Sequence, residues 1–134
     1  MVAHGAQFYP AEYPGFAAFE AARVLGLVTY CLRGDECEIL SLDSLVEGRG
    51  VGSALVEAVR NVALKNQLRR LWLITTNDNL NALRFYQKRG FELVKINRRA
   101  VEQSRKLKPS IPLLGEFGIP IRDEIELEML LGTH

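Results

Sequence analysis

Two stretches of this sequence hold residue types at spacings that could do chemistry. In "VEGRGVGSAL" (46–55), glycines recur at every second position, Gly48, Gly50 and Gly52. Glycine tolerates positive φ and lets backbone amides come close to a ligand. If a helix opens here, its first N–H groups and its positive partial charge complete a site for phosphate. In "NALRFYQKRGF" (81–91), Tyr86 stands four residues ahead of Gly90 inside a short charged run. A tyrosine so near a helix stop is either a core side chain or a proton donor at the end of a cofactor cleft. Two familiar phosphate loops are excluded. No Gly-Lys-Ser/Thr follows the glycines, and Leu55 interrupts the G-x-G-x-x-G dinucleotide pattern.

The elements that must position these residues follow from periodicity and turn chemistry. Residues 1–15, with Pro10, Pro14, Gly5 and Gly15, read as an irregular lead-in. "GFAAFE" (15–20), "VLGLVTYCL" (24–32) and "ECEILSLDS" (36–44) read as strands. Gly34-Asp35 suits a two-residue hairpin turn. That turn pairs Arg33 with Glu36, Leu32 with Cys37, Cys31 with Glu38 and Tyr30 with Ile39. Alternation then puts Glu36, Glu38, Leu40 and Leu42 on one face, and Cys37, Ile39 and Ser41 on the other.

From Val51 the period changes. Val51, Ala54, Leu55, Ala58, Val59, Val62 and Ala63 form the apolar stripe of a helix of about four turns. "RRLWLIT" (69–75) predicts a strand, "NDN" (77–79) a helix start and Leu80–Arg89 a short helix that stops at Gly90. "FELVKI" (91–96) is a further strand. A short helix fits within 97–108, a structured loop within 108–120 and a half-buried strand in "RDEIELEML" (122–130), with Ile125, Leu127, Met129 and Leu131 inward. Strands, helix, strand, helix, strand, insert, strand make a mixed α/β domain.

The 134 residues fit one domain, 1–134, with 48% hydrophobic content and a net charge of +1. That charge gives no general attraction to nucleic acid, and the basic run 98–108 reads as a solvated helix face. No apolar run is long enough to span a membrane, and no secretory pattern opens the chain. The expectation is a cytoplasmic protein with Cys31 and Cys37 unpaired and with neither nucleic-acid, membrane nor metal partners.

With the two motifs in this order, the sequence resembles the Gcn5-related N-acetyltransferase (GNAT) family. That family's phosphate loop, Q/R-x-x-G-x-G/A, aligns with Glu47-Gly48-Arg49-Gly50-Val51-Gly52, Glu47 replacing Gln or Arg. Its second signature, N-x-x-A-x-x-F-Y-x-K-x-G-F, is matched in full from Asn79 through Ala82, Phe85, Tyr86, Lys88 and Gly90 to Phe91. The resemblance implies the acyl-CoA N-acyltransferase fold, a central, mostly antiparallel sheet with splayed strands flanked by helices. Its N-terminal part is shortened, since about 15 residues precede the first strand.

By the same resemblance, the chain moves an acetyl group from acetyl-CoA, a co-substrate, to a primary amine. The alternative is a non-catalytic acyl-CoA-binding or regulatory module. Amides from Gly48 to Ser53, within the segment Glu47, Gly48, Arg49, Gly50, Val51, Gly52 and Ser53, hold the pyrophosphate. The strand end at Leu42 and Ser44 offers a backbone N–H to the thioester carbonyl. Asn79 bonds the pantetheine arm or caps its helix, with Ala82 and Lys88 in the same cofactor motif. Tyr86 is the general acid at the thioester sulfur. The base that the resemblance implies is either a carboxylate on the strand before the loop, Glu38 ahead of Glu36, or an ordered water, with His4 an outside candidate. Asp43, Asp123 and Glu124 are candidates for shaping an acceptor pocket for a cation. The insert 97–121, or the second subunit of a homodimer, supplies one wall of that pocket.

Overall fold

A computed structural model describes residues 13–132 together with the two short strands β1 (Val2–Ala3) and β2 (Ala6–Gln7). These two pair antiparallel, so the lead-in is not wholly irregular. His4 lies outside the described residues. The remaining strands are β3 (Gly15–Glu20), β4 (Arg23–Arg33), β5 (Glu36–Ser44), β6 (Arg70–Thr76), β7 (Glu92–Asn97) and β8 (Glu124–Leu130). The helices are α1 (Val51–Lys65), α2 (Leu80–Lys88) and α3 (Ala100–Leu107). Strands β3 to β8 form one mixed six-stranded sheet in the order β3-β4-β5-β6-β8-β7. No helix among the described residues is long and apolar enough to cross a membrane.

The chain divides into two compact units, Pro10–Trp72 with Met129–His134, and Met1–Tyr9 with Leu73–Glu128. In the first, β4 and β5 form the hairpin that the turn chemistry predicts. Gly34 takes φ 57°, and Arg33, Leu32, Cys31 and Tyr30 face Glu36, Cys37, Glu38 and Ile39. The next pair is Thr29 with Ser41, so Leu40 is the extra residue of a β-bulge. The bulge corrects the expected faces, because it resets the alternation for Ser41 and the residues after it.

Helix α1 starts directly after the glycine turn. Its buried face is Val51, Gly52, Leu55, Val56, Val59 and Ala63. Val56 is therefore inside and Ala54 outside the stripe read from the sequence, a small rotation imposed by what the helix packs on. That contact is close at Gly26 of β4. A Cβ there would lie 2.7 Å from Val51 Cγ1, 2.8 Å from the Asp43 carbonyl oxygen and 3.1 Å from Leu55 Cδ1. Only a residue without a side chain lets β4 and α1 approach this way.

In the second unit, the Asn79 side chain caps α2, accepting a hydrogen bond from Ala82 N–H at 3.2 Å. Arg89 ends the helix and Gly90 turns the chain with φ 97°. Strands β7 and β8 pair antiparallel. The insert between them carries α3 and a loop with a 3-10 turn at Glu116–Gly118. Side chains fasten this loop. Arg105 donates to the carbonyls of Ile111, Pro112 and Ile121. The buried Asp78 carboxylate accepts from Thr76 Oγ1 at 2.6 Å and from Glu116 N–H at 3.0 Å. Asn77 donates to the Pro120 carbonyl and accepts from the N–H groups of Arg122 and Asp123. The loop thus holds one shape while Leu113, Leu114 and Phe117 stay exposed, Phe117 in a left-handed conformation.

Glu124 was expected on the solvent side of β8. It is buried, as are Asp123 and Leu127, while Ile125 and Met129 are half-buried. The local pattern of β8 alternates, but its burial is decided by which neighbours cover each face.

Candidate active site

The first unit holds the glycine turn and the two candidate carboxylates. Strand β5 ends at Ser44, whose hydroxyl donates to the Val46 carbonyl at 2.8 Å. Leu45 N–H donates to the Leu25 carbonyl at 2.8 Å, which ties the end of β5 to β4. The chain then turns through Gly48 and Gly50, with φ 71° and 70°, conformations that L side chains rarely adopt. Gly52 differs from its two neighbours in the motif. It lies in the first turn of α1 and is buried. Gly50 is the N-cap and carries no capping side chain. The first bond of the helix is Ala54 N–H to the Gly50 carbonyl, 3.0 Å. Ahead of it come the N–H groups that a helix leaves without an acceptor of its own. A left-handed glycine turn, an uncapped N-terminus and the helix dipole are together the features that can hold an anion.

Glu47, Gly48, Arg49 and Gly50 are exposed, Val51 and Gly52 are buried, and Ser53 is half-buried. Arg49 makes a two-point ion pair with Glu20, Nη1 to Oε2 at 2.9 Å and Nη2 to Oε1 at 3.2 Å. Glu20 was absent from every sequence-based candidate set. It is 29 positions from Arg49, and no local signal joins the two.

Glu36 and Glu38 separate clearly. Glu36, opposite Arg33 in register, forms its ion pairs instead with Arg69 at 2.9 Å and Arg70 at 3.3 Å. Arg69 also holds Asp35 at 3.0 Å, which draws the Asp35 carboxyl below its usual range. Glu38 is buried, between Cys37 and Ile39 in sequence, both of which are buried too. Burial, with Cys31 and Glu38 nearby, pushes the Cys37 thiol up to about 12, so it stays protonated at neutral pH. Both cysteines are free. Asp43 is exposed.

The second unit holds Asn79, Ala82, Tyr86 and Lys88, all on or capping α2. The Tyr86 ring is buried and meets Phe91 edge-on, with centroids 5.3 Å apart, and Phe85 at 5.1 Å. Phe91 N–H donates to the Tyr86 carbonyl at 3.1 Å, so the turn after α2 folds Phe91 back onto the tyrosine. Of the adjacent pair Phe85 and Tyr86, the tyrosine takes the core position. Phe85 is half-buried, and the Arg89 guanidinium lies over its ring at 3.6 Å. Lys88 is exposed and Ala82 half-buried. Asp123 accepts from Arg122 and from the Arg99 N–H at 2.8 Å, and the Arg122 guanidinium holds its carboxyl below the usual range.

The sheet order, the glycine turn before α1 and the capped helix before Phe91 describe a GNAT acetyltransferase fold. Residues 3–91 match the model of the acetyltransferase (GNAT) family, and the chain belongs to that family. It is 50% identical over 115 residues to the uncharacterized protein YdhI of Bacillus subtilis (strain 168), covering 85% of this chain and 72% of that one. Among solved structures it resembles the IAA acetyltransferase from Bacillus cereus ATCC 14579, at TM-score 0.74 and 26% identity over 86% of this chain and 75% of that one. It also resembles a GNAT family acetyltransferase from Elizabethkingia anophelis with acetyl-CoA bound, at TM-score 0.75 and 23% identity over 86% and 74%. The family supports acetyl-CoA as the co-substrate of an acyltransferase.

Proposed function

We propose that this chain transfers the acetyl group of acetyl-CoA to a primary amine by direct attack. The observation that carries this reading is the turn at the start of α1, where two left-handed glycines precede an uncapped helix N-terminus. In this reading the amides of residues 48–53 bind the diphosphate of CoA. Asn79, besides capping α2, bonds the pantetheine arm. The neutral amine attacks the thioester carbonyl. The carbonyl oxygen gains charge and is stabilised by the N–H near Leu42. The new C–N bond forms and the C–S bond breaks. The sulfur takes a proton from Tyr86, and Glu38 receives the proton that the amine loses.

Glu38 is preferred to Glu36 because ion pairs with Arg69 and Arg70 already engage the Glu36 carboxylate. In this reading the insert 97–121, or a second subunit, supplies a wall for the acceptor.

Gly50→Asp tests the cradle. A Cβ at Gly50 meets no atom within 4 Å, and Asp tolerates the left-handed region better than most residues. The variant should fold, while its carboxylate repels the diphosphate. Titration calorimetry is expected to show a loss of CoA affinity, and thiol release from acetyl-CoA with a panel of amines to fall in parallel. Unchanged affinity would remove the turn from the cofactor site.

A further inference from the structure

The ion pair between Arg49 and Glu20 has no role in the chemistry above, yet the backbone builds it from two sides. Arg49 stands between Gly48 and Gly50, both left-handed. Glu20 is the last residue of β3, opposite Arg23, and a two-residue turn follows in which Ala21 has φ 55°. A left-handed alanine is an unusual choice, since it carries the steric cost that glycine avoids. The register Gly26 with Ser44 brings this end of the β3–β4 hairpin alongside the end of β5 that leads into the glycine turn. The result is a two-point fork of guanidinium on carboxylate, at 2.9 and 3.2 Å, on the glycine turn read above as the diphosphate cradle.

We propose that Glu20 is a positioning residue for the cofactor: it holds the Arg49 guanidinium in competition with a phosphate of CoA and so weakens CoA binding. This rests on the reading of residues 47–53 as the CoA cradle. The planar fork of arginine matches carboxylate and phosphate alike. Donors that bond both oxygens of Glu20 are not offered to a phosphate in the same arrangement. The two side chains are about half exposed, 50% for Arg49 and 54% for Glu20. Pairs of that kind are weak and yield to a more highly charged partner. Once Arg49 turns to the phosphate, the released carboxylate remains beside a bound anion, which opposes binding further. CoA offers two sources of this chemistry, the diphosphate and the 3′-phosphate, and dephospho-CoA lacks the second.

The test is titration calorimetry of wild type, E20Q, R49Q and the double variant with CoA and with dephospho-CoA, at low and at high salt. E20Q should bind CoA about two- to five-fold tighter at low salt, the equivalent of an exposed ion pair. The gain should shrink at high salt, where exposed charges are screened. R49Q should bind more weakly than wild type, and adding E20Q to it should restore only the part of the gain that comes from removing the carboxylate's repulsion, less than the full gain seen with Arg49 present. In turnover, E20Q should lower KM for acetyl-CoA and leave kcat as it was.

A gain kept with dephospho-CoA supports competition with the diphosphate, and a gain lost with it supports competition with the 3′-phosphate. E20Q binding CoA equally or more weakly overturns the proposal, as does a gain that persists undiminished in the R49Q background. Wild type that binds no CoA would overturn the cradle and this inference together. Wild type that binds CoA while E20Q gains nothing removes this inference alone.

Discussion

Tyr86 is at once a buried ring and the proposed acid, and the two roles are separable by substitution. Its ring packs edge-on against Phe91. Tyr86→Phe keeps that packing and deletes the transferable proton. We expect kcat to fall roughly 100-fold, the scale of lost general-acid catalysis, with CoA affinity and thermal stability little changed. A wild-type rate would end the acid assignment, and an unfolded variant would mark the hydroxyl as a structural hydrogen-bonding group. Glu38 is tested by the shape of the pH profile. As the base it must be ionised, so the rate should have an acidic limb. Glu38→Gln should abolish that acidic limb and lower kcat while CoA still binds. An unaltered profile would return Glu38 to a purely structural place in the β5 core.

At the scale of elements, the approach of β4 to α1 sets where the glycine turn begins. Gly26→Ala puts a methyl group against Val51 and the Asp43 carbonyl, at separations that real Cβ contacts do not show. The Asp43 carbonyl belongs to the backbone of β5 and cannot give way as a flexible side chain would, so β4 must shift against both β5 and α1. A cost of about 1–3 kcal/mol is the usual scale of overpacking. Because Val51 is the first residue of α1, the same displacement moves the cradle. We therefore expect a lower denaturation midpoint together with weaker CoA binding. A Gly26→Ala variant that loses stability but binds CoA as wild type does would show that the cradle is held by other contacts.

At the scale of the whole molecule, the response to acid follows from how carboxylates are held. Asp123 has its pKa depressed, chiefly by its hydrogen bond to Arg122 and also by the Arg99 N–H. A depressed folded pKa contributes stability above the unfolded value, about 3.9. That contribution is lost as pH falls through the folded pKa. Wild type should exceed Asp123→Asn in urea midpoint at pH 7, and the gap should close once the pH is well below about 4. A gap that is independent of pH would mean that Asp123 acts through shape and not through charge.

What the sequence determined by itself is what depends on near neighbours. The Gly34-Asp35 turn specifies the register of four residue pairs, because a two-residue loop leaves the strands no other alignment. Asn79 and Gly90 bound α2, and the glycines ahead of Val51 bound α1, because caps act within one turn of the helix end. The two motifs were legible for the same reason, and with them the family. Tertiary structure decided everything that depends on a partner far along the chain. It placed the bulge at Leu40, gave Glu36 to Arg69 and Arg70, and joined Arg49 to Glu20. It also buried Tyr86 in place of Phe85 and Glu124 in place of Ile125. Periodicity states only that two faces differ. Which face is covered, and which charge finds a counter-charge, is set by elements that the fold brings together from 29 to 34 positions away, as for Glu20 and Glu36.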